Sequence, residues 1–234
     1  VRPMGELRQR PAEEDIVERI FDAVVEQRLP PGTKLSESAL CEAFGVGRMR
    51  IRRALLLLSS REVVDLQANR GAFVASPTPQ QAREVFEARL TLEPTIARLA
   101  VERASAEDID NLTAHLVKEH AAHHEHSRQE AIRLSGQFHL LLAQIAANSV
   151  MLRMMKELVT RTSLIIGIFG APSVTNCRDD DHERILRAFK ARDGQAAADL
   201  MTEHLRVIEG GLELGTQKGG AVDLIDLFAR KGRA

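Results

Sequence analysis

The chain has 234 residues, room for one large domain or two small ones, and 44% of them are hydrophobic, enough for a packed core. A formal net charge of −1 excludes a uniformly polybasic nucleic-acid binder, so charge has to be read locally. Aromatic residues make up only 3%, with no Trp or Tyr, which excludes a single-strand binder built on base-stacking platforms.

Leu, Ala, Glu and Arg dominate, the composition of a mainly α-helical protein. Val1–Arg10 has no apolar run of the kind a signal peptide carries. The longest apolar stretches fall well short of the roughly 20 residues a membrane span needs. Cys41 and Cys177 lie far apart without CxxC spacing. Read as reduced, they suggest a cytoplasmic protein.

Residues 1–11 are polar and basic and read as an arm. Glu13–Gln27 carries Ile16, Val17, Ile20, Phe21, Val24 and Val25 at helical spacing, and Leu29-Pro30-Pro31-Gly32 ends that helix. Ser36 is placed to cap a helix over Glu37–Phe44. Gly45-Val46-Gly47 makes a turn into a helix over Arg48–Ser60. Val63–Leu66 and Ala72–Ala75 form a two-stranded wing around Gln67–Gly71. Ser76-Pro77-Thr78-Pro79 is a linker, which puts a first domain at 12–76 and a second at 77–214. Thr78 can cap the next helix with Pro79 in its first turn. From there the chain reads as an all-α antiparallel bundle, with helices near Pro79–Ala104, Ala106–His126, Arg128–Ala146, Val150–Phe169, Asp180–Arg192 and Gly194–Leu214. Ser105 with Asp108 resembles a capping box, and Asp193 can cap the last helix. Residues 215–234 are a tail with a short helix over Val222–Arg230.

The helix starting at Arg48 opens with four arginines in six residues and no acid. At about 100° per residue, Ile51, Ala54, Leu55 and Leu58 fall on one side and pack inward. Arg48 and Arg52 share a flank, Met49 and Arg53 lie on the far face, and Arg50 projects toward a phosphate position. This is the layout of a recognition helix, in which arginine reads guanine and neutralises phosphates. Leu56 and Leu57 fall outside the apolar stripe and suit a second domain or a partner subunit. A solvated basic face is the bland alternative. The glycine turn before the helix and Asn69-Arg70-Gly71 after it favour DNA.

Pro31-Gly32-Thr33-Lys34-Leu35-Ser36-Glu37, Leu40, Phe44-Gly45-Val46-Gly47-Arg48, Arg52, Ala54-Leu55 and Asn69-Arg70-Gly71 resemble the winged helix-turn-helix of the GntR family of bacterial transcription regulators. That family's turn and recognition helix usually run Gly-Val-Ser-Arg-Thr-Pro-Val-Arg-Glu-Ala-Leu. Here Gly47 replaces Ser, Met49 replaces Thr, Arg50 replaces Pro and Arg53 replaces Glu. The resemblance implies double-stranded DNA as partner, with Arg48, Met49, Arg50, Arg52, Arg53, Arg70 and the wing-tip Gly71 as the contacting set. The lost hydroxyls remove contacts that the added arginines offset, with an altered operator as the consequence.

The helical half holds three separated histidines, His139, His182 and His204, each on a different predicted helix. Such imidazoles can meet around zinc or nickel, or can be hydrogen-bonded core residues; spacing leaves both open. Arg89 through Glu93, Phe138-His139, Asn148, His182 and His204-Leu205 resemble the FCD effector domain of the fatty-acid-responsive branch of the same family. The resemblance implies a metal site of His139, His182 and His204, plus an Asp one helical turn before the first histidine. Ser135 stands at that position, and a serine hydroxyl is a poor ligand near neutral pH. Gln137 lies on the wrong side of the helix. A three-His site would leave the full divalent charge as a trap for an anionic effector. By resemblance Arg89 is a carboxylate clamp, with Ser135 and Asn148 as further effector positions. By spacing alone Arg89 and Glu93 equally make a surface ion pair. His115, His120, His123, His124 and His126, with Glu119 and Glu125, read as a solvated helix end.

The reading is a dimeric regulator, a repressor, that binds a palindromic operator and a small carboxylate effector. The rivals are a zinc-dependent enzyme using a three-His site and an effector-free DNA-binding dimer.

Overall fold

A computed structural model of the chain describes residues 11–25, 28–125, 127–170, 180–214 and 224–229. Residues 1–10 of the basic arm, His126, Cys177 and the stretch Gly215–Gly220 lie outside them. The fold is mainly α with one small sheet, and packing divides it into two units. The division falls between Ala75 and Ser76, and the C-terminal helix belongs to the first unit.

The first unit contains α1 (Glu13–Val25), β1 (Lys34–Leu35), α2 (Glu37–Phe44), α3 (Arg48–Ser60), β2 (Val64–Gln67), β3 (Gly71–Val74) and α10 (Leu224–Ala229). Ser36 Oγ accepts from Ala39 N and starts α2. Gly45 ends α2 at φ 66°, a left-handed turn a side chain would strain, and its N–H returns to the carbonyls of Cys41 and Glu42. That turn delivers α3, whose Ile51, Ala54, Leu55 and Leu58 are buried as the periodicity requires. The sheet order is β1-β3-β2, all antiparallel, with Gln67 opposite Gly71 at the wing tip. The third strand was not expected. At two residues, β1 is too short to show an alternating pattern, and it exists through pairing of Leu35 with Ala72.

The tail helix is also more than an appendage. α10 packs on α2, burying Leu224 and Phe228. The Phe44 and Phe228 rings sit 4.9 Å apart, and the Arg19 guanidinium lies 4.7 Å from the first ring centre and 5.9 Å from the second. Arg19 Nη2 also donates to the Phe228 carbonyl at 2.9 Å.

The second unit is helical: α4 (Pro79–Arg103), α5 (Ala106–His124), α6 (Arg128–Ile145), α7 (Ser149–Phe169), α8 (Asp181–Lys190) and α9 (Gly194–Gly210). Thr78 with Gln81 and Ser105 with Asp108 form reciprocal capping boxes, and Asp193 caps α9 through Ala196 N. α4 packs on α6, α7 and α9, α5 on α6 and α8, and α8 on α9. Phe86, Ile96, Phe138, Phe169 and Phe189 lie in the core. No described helix is long and apolar enough to cross a membrane.

Substituting Phe228→Ala should cost the first unit about 3 kcal/mol, as for other buried Phe truncations. Amide exchange in α2 should accelerate by about two orders of magnitude while α4 is unaffected. Unchanged α2 protection would contradict this packing.

Candidate functional site

Within the helical unit, α6, α8 and α9 bring His139, His182 and His204 together, all buried. One nitrogen from each lies within 4.8 Å of the others. His204 Nε2 is 3.1 Å from His182 Nε2 and 3.4 Å from His139 Nε2. Nitrogens bound at about 2.0–2.1 Å to one tetrahedral ion are about 3.3 Å apart, so the donor set fits zinc or nickel. Phe138 stacks on the His182 ring at 4.1 Å and fixes its plane.

Each opposite ring nitrogen faces a carboxylate. Glu93 Oε2 on α4 lies 2.5 Å from His139 Nδ1. Glu119 on α5 meets His182 Nδ1 at 2.9 and 3.0 Å. Asp181, the first residue of α8, meets His204 Nδ1 at 3.2 Å. At His182 and His204, Nδ1–H donation to a carboxylate fixes the tautomer that leaves Nε2 with its lone pair, and raises its basicity as a ligand; at His139 the Glu93 carboxylate lies close to Nδ1 as an ion-pair contact outside hydrogen-bond geometry. Burial pushes the His139 imidazole down, against the pull of Glu93. Burial, then the neighbouring His182, push His204 down to about 3. Burial works to raise both Glu93 and Glu119. Arg89 and His139 outweigh it at the first, and His182 at the second, so both carboxyls lie below the ordinary range.

These carboxylates change the charge expected of a three-His site. Glu93, Glu119, Asp181 and Arg89 are all buried. Three negative charges against one positive leave a deficit of two. Protons on His139 and His204 are disfavoured by burial; a divalent cation makes the balance exact in sign and size. An ion held there would be neutralised from behind the rings, unlike the bare divalent trap the ligand count alone suggests. Arg184 reaches Asp181 from the partly exposed side at 3.7 Å, and its charge is met by Glu203 at 3.0 and 3.1 Å.

The Arg89–Glu93 pair is not a surface pair, since each side chain is only 2% exposed. Arg89 Nε donates to Glu93 Oε1, and Nη1 donates to Thr162 Oγ1 on α7 at 3.2 Å. Nη2 is buried without a hydrogen-bond partner. Ser135 is half-buried on α6, one turn before His139, and supplies no carboxylate. Asn148 is the N-cap of α7, its Oδ1 accepting from Val150 N and Met151 N, so its acceptor serves the helix.

Sequence reasoning missed Glu119 and the roles of Glu93 and Asp181. Glu119 was expected in a solvated helix end, yet it is 3% exposed. His115 on the same helix is also buried, with Nε2 2.8 Å from the Leu134 carbonyl. The signal was present: Leu112, His115, Leu116 and Glu119 share one helical face.

In the winged unit, Arg48, Met49, Arg50, Arg52 and Arg53 are all exposed, Met49 by 65%. Arg52 Nε is held by both Glu37 oxygens at 2.9 and 3.0 Å, which raises its already high pKa. Arg50 Nη1 donates to the Pro11 carbonyl at 3.1 Å. The N-cap Gly47 offers no side chain to the first turn of α3. Arg70 and Gly71 are exposed at the wing tip, with Arg70 lying 5.7 Å from the Phe73 ring centre and Gly71 at φ 99°. Leu56 and Leu57 remain exposed on α3.

Residues 12–74 match the family described as "Bacterial regulatory proteins, gntR family", and residues 84–207 match the "FCD domain". The chain is 27% identical over 180 residues to the uncharacterized HTH-type transcriptional regulator YdhC of Bacillus subtilis, covering 74% of this chain and 79% of that one. It is 26% identical over 202 residues to the HTH-type transcriptional repressor RspR of Escherichia coli, covering 85% and 88%. A crystal structure of a transcriptional regulator GntR from a Rhodococcus species shares the fold with a TM-score of 0.76, at 20% identity, covering 88% of this chain and 99% of that one.

The metal-free protein should lose stability between pH 7 and pH 5.5. Unfolded His204, titrating near 6.5, takes up a proton that the folded ring refuses until about pH 3. The unfolded state binds more protons in this window, so stability falls with pH, by about 1 kcal/mol at pH 5.5. Denaturation midpoints of chelator-treated protein measure this, and a flat profile would contradict it.

Proposed function

Because the chain belongs to the gntR family of bacterial regulatory proteins and carries an FCD domain, we propose that this transcriptional regulator is a repressor released by a small carboxylate, bound at a divalent metal centre. Repression is the role in the name of RspR. His139, His182 and His204 would hold zinc or nickel, and the ion would supply Lewis-acid attraction for the carboxylate. The single observation that carries the reading is the convergence of three Nε2 atoms, each backed by its own carboxylate. The unpartnered Nη2 of Arg89 supports an anionic effector, since a buried guanidinium nitrogen gains from an acceptor.

On the DNA side, the exposed first turn of α3 would enter the major groove, with Arg48 and Arg53 reading or neutralising and Met49 offering an apolar contact to thymine methyls. Glu37 holds Arg52 in a fixed orientation rather than leaving it to swing. A homodimer on a palindromic operator follows because one short helix reads too few bases. The rival enzyme needs an acid placed as general base. Among the described residues, Glu93, Glu119 and Asp181 are each committed to an imidazole, and Glu183 is exposed.

Operator selection in vitro followed by fluorescence anisotropy tests this. Binding should weaken steeply with salt, and Arg48→Ala and Arg53→Ala should each cost about 1–3 kcal/mol. A panel of small carboxylates should release DNA from zinc- or nickel-loaded protein and fail with His139→Ala. Absence of sequence-specific binding, or release unaffected by His139→Ala, would overturn the reading.

A further inference from the structure

We infer that Glu93 couples the effector position to the metal position, so that each ligand tightens the binding of the other. This deepens the preceding reading and rests on it. Glu93 has two oxygens and two partners: Oε1 receives Arg89 Nε, and Oε2 faces His139 Nδ1. Arg89, Glu93 and His139 are each only 2% exposed, so bulk solvent screens neither contact. Arg89 is pinned on a second side, because Thr162 Oγ1 takes Nη1 while donating its own proton to the Leu158 carbonyl at 2.8 Å. The nitrogen left over is Nη2.

A chain of three side chains therefore runs from the unpartnered donor to a metal-ligating ring. An anion on Nη2 draws guanidinium charge away from Glu93. The carboxylate then bears more fully on His139 Nδ1–H, and His139 Nε2 becomes the better ligand. In the other direction, a cation on Nε2 polarises Nδ1–H toward Glu93, which loosens the carboxylate's hold on Arg89 and frees the guanidinium for an anion. Linkage requires the two effects to be equal in free energy. Glu93 touches neither ligand, so it is a positioning residue. Behind the other two rings, Glu119 faces His182, and Asp181 faces His204 and is approached from the partly exposed side by Arg184, whose charge Glu203 also meets.

The test uses zinc alone on the full chain, by competition against a chelator, in wild type, Arg89→Gln, Glu93→Gln and the double variant. Glu93→Gln should weaken zinc binding roughly 10- to 100-fold. Arg89→Gln, which leaves Glu93 to His139 alone, should tighten it by about fivefold, the lower end of ordinary coupling. In the Glu93→Gln background the same change should have less than about a twofold effect, because the link is gone. Equal effects of Arg89→Gln in both backgrounds would mean simple charge repulsion through space and would overturn the inference. So would unchanged zinc affinity in Glu93→Gln. If Arg89→Gln does not fold, Arg89→Lys keeps the charge but cannot hold Glu93 and Thr162 together, and should shift affinity in the same direction. Imidazole nitrogen NMR of the zinc-loaded protein adds a readout that a merely structural role would not move: the His139 Nδ1–H proton should shift upfield in Glu93→Gln, with His182 and His204 unmoved. If wild type takes up no zinc or nickel at all, the metal reading itself falls, separately from the coupling.

Discussion

Three imidazole nitrogens aimed at one point, with a carboxylate behind each ring, set the terms for the whole helical unit. Such a centre is costly to bury unless every charge and proton has a partner. All six helices of the unit contribute: α4 brings Arg89 and Glu93, α5 Glu119, α6 His139, α7 Thr162, α8 Asp181 and His182, and α9 His204. The apolar core surrounds this polar middle, with Phe138 packed directly on His182. Glu93, Glu119 and Asp181 against Arg89 leave this buried centre short of two positive charges, the number a divalent ion at the three histidines would bring.

Much of the architecture was legible because its signals are local. Ser36, Thr78, Ser105 and Asp193 cap the helices they precede, each by a hydrogen bond spanning three residues. The apolar stripe of α3 is a matter of angle along one helix. What escaped notice depends on partners distant in sequence. Glu119 lies 63 residues from His182; its place on the apolar face of Leu112 and Leu116 marks it as buried, while its imidazole partner is set only by the packing of α5 on α8. The spacing of Arg89 and Glu93 suits a surface pair as well as an interior one, and only packing against α6 and α7 decides. β1 and the seat of α10 are likewise products of tertiary contact, the first through β3, the second through Phe44 and Arg19. The three histidines themselves were visible, while their geometry was not.

The winged unit solves a different problem with the same side-chain type. Net charge near zero denies the chain a general attraction to polyanions, so the positive charge is concentrated at the start of α3. Arginines there are exposed and costly to crowd together, and Glu37 relieves part of that repulsion by holding Arg52. The departures from the usual gntR pattern at Gly47, Met49, Arg50 and Arg53 all sit at the N-terminal end of α3, on exposed positions outside the buried stripe of Ile51, Ala54, Leu55 and Leu58. In the proposed function, the effector changes DNA affinity only by as much as its own affinity differs between the DNA-bound and released states.

The most direct measurement is metal-edge X-ray absorption on zinc-loaded protein, taken beside His182→Ala. The account predicts one zinc per chain with three imidazole nitrogens at about 2.0–2.1 Å, and loss of a nitrogen from that shell in the variant. A shell without imidazole, or one unchanged in His182→Ala, would place the metal elsewhere and contradict the assignment of the three histidines.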